Sequence, residues 1–429
     1  MRYDEMTRAE LETERERVKK EYETCKKEGL HLNMARGKPG KEQLDAVSDI
    51  LLALQEKELC LSDGIEARNY GELEGLPEAR RLFADILGVD ASECFVGGNS
   101  SLQLMYDTIS KAFTHGMPHS EKPWGKLEKI KWICPVPGYD RHFRILESFG
   151  IEMLSVPMTE DGPDMDAVEG LITDPAVKGM WNVPKYSNPS GVVYSDAAIR
   201  RLAAMKPAAS DFLLMWDNAY CVHDFATDFV PFPNILALCR EAGNADMPFV
   251  YASTSKITFP GAGVAVMACS RDNLDYMKKL ISVQTIGFDK INQLRHVLYL
   301  KDKENTLAVM RRHAAILLPK FDAVRQCLER ELAPLGIAEW SHPLGGYFIS
   351  LNAMEGTAKQ TVRLASEAGV TLTEAGATYP YGIDPYDRNI RIAPTVPPIG
   401  ELKKAMEILC VCLRLSAVER LLEKKNASQ

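Results

Sequence analysis

Lys256 closes a hydroxyl-rich run, "VYASTSK", and is followed at once by "ITFPGAG". A lysine is usually a solvated surface residue, and that is the plain reading of a single one. This one follows an apolar, strand-like run at its carboxyl end, where α/β sheets place ligands. Two chemistries use such a lysine. In S-x-x-K acyl-enzymes Ser253 would be the nucleophile, with "YSN" at 186–188 as a second piece of the site. No K-T-G follows, and Pro260 and Gly261 stop the segment from continuing as the helix that the serine opens in those enzymes. The other chemistry is a Schiff base between the lysine amine and a carbonyl group.

The commonest carbonyl cofactor for a Schiff-base lysine is pyridoxal phosphate, and its chemistry makes further demands. The pyridine nitrogen must keep a proton, so a buried carboxylate must face it. The phenolic oxygen wants hydrogen-bond donors. The phosphate wants hydroxyls and a helix N-terminus. An amino-acid substrate wants a guanidinium for its carboxylate. Each partner is present. "MWDNAY" puts Asp217 at the end of an apolar strand, with Tyr220 three residues on. "YSNPSG" holds Asn188 in a turn, "GGNSS" offers Ser100 and Ser101 where a strand gives way to a helix, and "NIRIAPT" carries Arg391. Singly, each has a dull explanation as a turn signal or a strand-edge charge. Their joint occurrence in this order is the argument.

Elements must hold these residues together. Seven short apolar runs recur from residue 93, "CFVGG", "WICPV", "IEMLSVPM", "GMWNVP", "FLLMWDNAY", "FVYAST" and "GVAVMACS", with amphipathic stretches between most of them. That alternation predicts an α/β layered domain with a mostly parallel, seven-stranded sheet. One intervening helix is expected over 100–113, with Leu102, Met105, Tyr106, Ile109 and Phe113 on its apolar face. After residue 290 a long helical stretch (about 303–333), isolated strands and a final helix from about 400 predict a smaller α+β domain. The expected division is 49–300 for the large domain and 301–429 for the small one, with 1–48 joining the small domain. Residues 5–28 mix charges of both signs and predict a solvated helix with i,i+4 ion pairs.

Composition narrows the function classes. The 429 residues carry 51 basic against 59 acidic side chains, a net charge of −8, which argues against nucleic acid as a partner. No apolar run is long enough to span a bilayer. Ten scattered cysteines without a metal-binding spacing predict reduced thiols and a cytoplasmic location.

From "ARGKPG" to "NIRIAPT" the chain resembles the fold-type I, class I aminotransferases that use pyridoxal phosphate, and most closely the divergent subgroup Ic of aspartate aminotransferases. "RNYGELEGLPEARR", "GGNSSLQ", "PVPGYDRHF", "NPSG" and "SKITFPGAG" carry the likeness. The resemblance implies that Lys256 holds the cofactor and shuttles a proton, and that Asp217 faces the ring nitrogen with His142 behind it. It implies that Tyr139 stacks on the ring, that Tyr220 and Asn188 meet the phenolic oxygen, and that Ser100, Ser101 and Ser253 meet the phosphate. Tyr70 would reach the phosphate of a second subunit across a homodimer interface. Arg391 would clamp the α-carboxylate, with Arg36 and Gly37 of "ARGKPG" at the substrate. The implied reaction moves the amino group of a dicarboxylic amino acid, aspartate first, to 2-oxoglutarate.

Two departures stand out. Gly263 occupies the place where most class I members carry a phosphate-binding arginine, and Lys290 is the expected substitute. The arginine that aspartate enzymes send to the distal carboxylate is also not evident, and Arg141 is expected to do that work, with Arg36 as second choice. A β-lyase, a decarboxylase or an aminotransferase of other donor range would use the same scaffold. A cofactor-sensing regulator would need a DNA-binding module ahead of "ARGKP", where 34 residues stand.

Overall fold

A computed structural model describes residues 1–54, 59, 64–226 and 228–427. The strands are β1 (Leu32–Asn33), β2 (Cys94–Val96), β3 (Lys131–Val136), β4 (Glu152–Thr159), β5 (Gly162–Pro163), β6 (Val177–Asn182), β7 (Leu213–Asp217), β8 (Pro248–Ser253), β9 (Ala265–Cys269), β10 (Ala338–Trp340), β11 (Ile349–Ala353), β12 (Val370–Thr371) and β13 (Asn389–Ile392). Eight of them form one sheet in the order β2-β9-β8-β7-β6-β3-β4-β5. The centre, β8 through β4, is parallel, and the pairings to β9, β2 and β5 are antiparallel. All seven apolar runs are strands of this sheet, and the two-residue β5 adds an eighth at the edge. β7, β8 and β9 are buried at every position, as strands covered on both faces must be, so they read as continuous apolar runs.

The first five α-helices are α1 (Arg8–Lys27), α2 (Lys41–Asp45), α3 (Pro77–Leu87), α4 (Ser101–His115) and α5 (Asp140–Ser148). The apolar face expected for α4 is rotated. Leu104, Met105, Thr108, Ile109 and Ala112 are buried. Tyr106 is 43% exposed and, with Phe113, packs on Phe149 at centroid distances of 5.2 and 5.3 Å. The helix therefore turns its small and aliphatic residues to the sheet and leaves its aromatics to the outer layer.

Outside this sheet, β10-β11-β13 form a three-stranded antiparallel sheet and β1-β12 a short parallel pair. Two 29-residue helices, Lys303–Glu331 and Ile399–Ala427, share one apolar cluster with these strands. α1 is less solvated than its charge suggests. Leu11, Val18 and Tyr22 are buried in that same cluster, while the ion pairs Arg8–Glu12 and Arg17–Glu21 stay on the outer face. Among the described residues, no helix is long and apolar enough to cross a membrane.

Candidate active site

The carboxyl ends of the central strands open onto a cavity of about 170 Å³. Its walls include Gly37, Ser100, Ser101, Tyr139, Asn188, Asp217, Tyr220, Ser253 and Lys256. A parallel sheet gathers these residues because it delivers its strand ends to one edge. Larger clefts exist, about 450 Å³ near Lys206–Leu213 and about 580 Å³ beside β10, but neither wall carries Lys256 or Asp217.

Asp217 is the last residue of β7 and is 3% exposed. His142, in the first turns of α5, meets one of its oxygens through Nε2 at 3.0 Å. The imidazole is itself fixed by stacking on Trp181, with centroids 4.3 Å apart and planes 12° from parallel. The other oxygen, Oδ1, is buried and has no partner among the described residues. A buried carboxylate oxygen left unpaired is costly, so this site is built for a donor that the protein itself does not supply. A protonated ring nitrogen is such a donor.

Lys256 lies in the short 3-10 turn Thr254–Lys256 after β8, and its ammonium stands 4.9 Å from the centre of the Tyr220 ring. Burial pushes its pKa down, and the nearby Asp217 charge opposes the shift. A lysine that gives up its proton more easily is a better nucleophile and base. Tyr220 is pushed well up, first by burial and then by Tyr139 and Asp217, so it stays a donor. Tyr139 rises for the same first cause, reinforced by Asp217 and Asp140.

The hydroxyls gather at the other end. Ser100 is the N-cap of α4 and Ser101 its first residue, so the helix N-terminus faces the cavity. Ser253 ends β8, and its Oγ lies 3.0 Å from Ser255 Oγ. Ser255 also lines the cavity and was missed by the sequence reading, although "STSK" displays it. At Gly263 an added Cβ would stand 2.8 Å from the Asn99 carbonyl oxygen, so this backbone has no room there for an arginine. This hydroxyl- and amide-rich end, the unpaired Asp217 oxygen and the depressed lysine together fit pyridoxal phosphate.

Arg391, on β13, is 8% exposed. Its Nη1 donates to Asp140 Oδ1 at 2.8 Å and to Asn188 Oδ1 at 3.2 Å, and its Nη2 to Thr373 Oγ1 at 3.2 Å. The guanidinium lies over Phe348, 4.9 Å from the ring centre. Phe348 also explains Gly37, where any Cβ would intrude on the phenylalanine ring. Asp140, Thr373 and Phe348 escaped the sequence reading, because their place depends on two distant segments meeting. Lys185 escaped it too. It is buried, and its ammonium donates to Cys221 O at 3.1 Å, Asp224 Oδ2 at 3.0 Å and Val230 O at 3.0 Å. It thus ties the segment bearing Asn188 to the one bearing Tyr220.

Four expected residues do not join this group within the chain. Arg36 and Arg141 are exposed and do not line the cavity. Tyr70 is 83% exposed. Lys290 donates to Gly71 O at 3.0 Å and lines a separate cleft with Arg68 and Tyr70, so it does not supply a phosphate cation to its own cavity. For Arg141 the physical reason is helix geometry: it precedes the inward-facing His142, and the side chain one position away points elsewhere.

Comparison with known proteins bears on what this cavity does. The chain is 46% identical to the aspartate aminotransferase of Corynebacterium glutamicum over 404 residues, 94% of each chain. It is 45% identical to a putative aminotransferase of Mycolicibacterium smegmatis over 428 residues, 99% of this chain and 100% of that one. The crystal structure of an aspartate transaminase from C. glutamicum superposes with a TM-score of 0.96 at 45% identity, covering 98% of this chain and 99% of that one. An α-aminoadipate aminotransferase from Thermus thermophilus, solved with N-(5'-phosphopyridoxyl)-L-leucine, shares the fold at 23% identity, with a TM-score of 0.73 over 92% and 93% of the two chains. The sequence model of the aspartate amino-transferase family matches residues 6–425, and this chain belongs to that family and is an aminotransferase.

Proposed function

We propose that this aminotransferase moves the amino group of L-aspartate to 2-oxoglutarate, using pyridoxal phosphate seated in the Lys256 cavity. The observation that carries the reading is the unpaired, buried Asp217 oxygen in one cavity with Lys256 and flanked by Arg391. The relative named aspartate aminotransferase supports the donor. When bound, the cofactor supplies a carbonyl for the amine and a ring that takes up the electrons released at the substrate's Cα.

The chain's residues do the rest. Lys256 holds the cofactor in the resting enzyme and, once released, carries the proton to and from Cα. Asp217 keeps a proton on the ring nitrogen, and His142 holds that carboxylate in place. Tyr220 and Asn188 turn donors to the phenolic oxygen. Ser100, Ser101, Ser253 and Ser255, with the N-terminus of α4, receive the phosphate. Tyr139 packs on the ring, and Arg391 receives the substrate's α-carboxylate. The proposal includes a cytoplasmic homodimer, in accord with the free and mostly buried cysteines and with exposed Tyr70, Val283 and Ile286. Tyr70 and Lys290 would then act on the partner's site. The domain division near residues 49 and 301 belongs to the same reading.

Incubation of the purified holoenzyme with L-aspartate and 2-oxoglutarate should yield oxaloacetate and glutamate in equal amounts. Pyruvate with ammonia would make it a β-lyase, and alanine would make it a decarboxylase.

Donor choice gives a second expected result. Arg391→Ala should depress kcat/KM for aspartate and alanine alike, by about 30-fold or more, because every amino acid has an α-carboxylate. Arg141 is exposed, so its charge is screened. Arg141→Ala should lower kcat/KM for aspartate relative to alanine by no more than about fivefold. A selective loss of a hundredfold would mean that Arg141 turns inward over a dicarboxylic substrate.

A further inference from the structure

We infer that Asp140 is the resident counter-ion of the substrate-carboxylate site, and that an incoming carboxylate displaces it from Arg391. The inference rests on the reading above that Arg391 receives that carboxylate.

Asp140 is the first residue of α5, directly after the ring-packing Tyr139. Its Oδ1 accepts from Arg391 Nη1 at 2.8 Å, and among the described residues it is the one carboxylate in ion-pair distance of this guanidinium. The two partners are unequally buried. The Arg391 side chain is 8% exposed and the Asp140 side chain 29%. A buried guanidinium without a counter-charge is strongly disfavoured, so the empty site needs a carboxylate on Arg391. Asp140, with one side open to water, can be released and rehydrated at small cost, whereas Arg391 cannot follow it. The remaining ligands, Asn188 Oδ1, Thr373 Oγ1 and the face of Phe348, are neutral and hold the guanidinium in place through the exchange.

Substrate binding is then a swap of one carboxylate for another, and the charge around Arg391 stays balanced throughout. Such a swap has a consequence for affinity. Both the amino-acid and the 2-oxo-acid must compete with a tethered carboxylate, which weakens their binding and speeds their release. In an enzyme that takes up one acid and must discharge another in each half of its cycle, this competition favours turnover over retention.

The test uses succinate, a dicarboxylate with neither amine nor keto group, on the holoenzyme. Its dissociation constant is read from the cofactor absorbance, and unfolding temperatures are taken with and without it. Asp140→Asn should bind succinate about tenfold more tightly than wild type. It should also melt lower when empty, because Arg391 has lost its counter-ion, and gain more from saturating succinate than wild type does. Asp140→Glu keeps the charge and should stay close to wild type in affinity. Asp140→Ser provides the same neutral comparison with a different helix-start residue, so the result does not depend on one variant folding. Equal or weaker succinate binding in the neutral variants overturns the exchange, and shows Asp140 to be a brace for Arg391. Arg391→Ala separates the two levels of the argument. If it binds succinate as wild type does, the carboxylate reading of Arg391 itself falls. If it binds weakly while Asp140→Asn is unchanged, only the counter-ion exchange falls.

Discussion

Lys256→Ala should abolish turnover, by about 10²–10⁴-fold or more, while leaving the fold and the cavity intact. Two roles are lost together: the amine that holds the cofactor and the base that moves the proton at Cα. The surroundings argue for both. Burial lowers the pKa of Lys256, so its amine loses a proton more readily than a surface lysine would. The Tyr220 ring packs against the side chain, its centre 4.9 Å from the ammonium. Cofactor should still associate with the variant through the serines and Asp217, but without a covalent link. Borohydride treatment of wild type should fix the cofactor to the peptide that contains Lys256, and the same treatment of Lys256→Ala should leave it removable. A labelled peptide carrying any other lysine would overturn the assignment. Partial rescue of turnover by added small amines would separate the base role from a general loss of structure.

Asp217→Ala carries the second largest effect, a loss of about 10²–10³-fold in turnover, by analogy with removal of one preorganised charge from a reaction site. One oxygen of Asp217 holds His142 at 3.0 Å and the other is buried and unpaired. Removing the carboxylate takes away the group that keeps the ring nitrogen protonated, and with it the ring's capacity to accept electrons. The amine of Lys256 can still bond to the cofactor, so binding should survive where turnover does not. Absorbance titration of the bound cofactor reports this directly, because the protonated ring should appear only at lower pH in the variant. Asp217→Asn keeps the volume and one hydrogen bond but not the charge, and should resemble the alanine variant in rate. Near-normal turnover in either variant would mean that another group holds the ring proton. His142→Ala should be milder, since it removes the brace and not the charge.

The sequence by itself determined the sheet strands and the residues at their ends. Seven apolar runs are seven strands, because a strand buried on both faces has to be apolar throughout, and that is visible in one dimension. Asp217 stood out for the converse reason: a carboxylate ending such a run is expensive unless something pairs with it. Motif spacing carried Lys256, Tyr220, Asn188, Ser100 and Ser101 to one cavity. Helix faces were less legible. On α4 the sheet selected Leu104 and Ala112 over Tyr106, and periodicity alone does not say which side of a largely apolar helix meets the sheet. On α5, His142, Phe143, Ile145 and Leu146 face inward. Arg141 precedes His142 by one position, a rotation of about 100°, and so looks to solvent. Only the tertiary structure decided what surrounds Arg391. Asp140 lies 251 positions earlier in the chain and Asn188 lies 203 earlier, and both reach one guanidinium because β13 of the three-stranded sheet is brought against the loops of the large sheet. The same holds for the three acceptors that bury Lys185 and for the closed space at Gly263, which belongs to the Asn99 backbone. Local patterns record what each segment must bury. They do not record which charges and carbonyls from remote segments will share the space once the segments have packed.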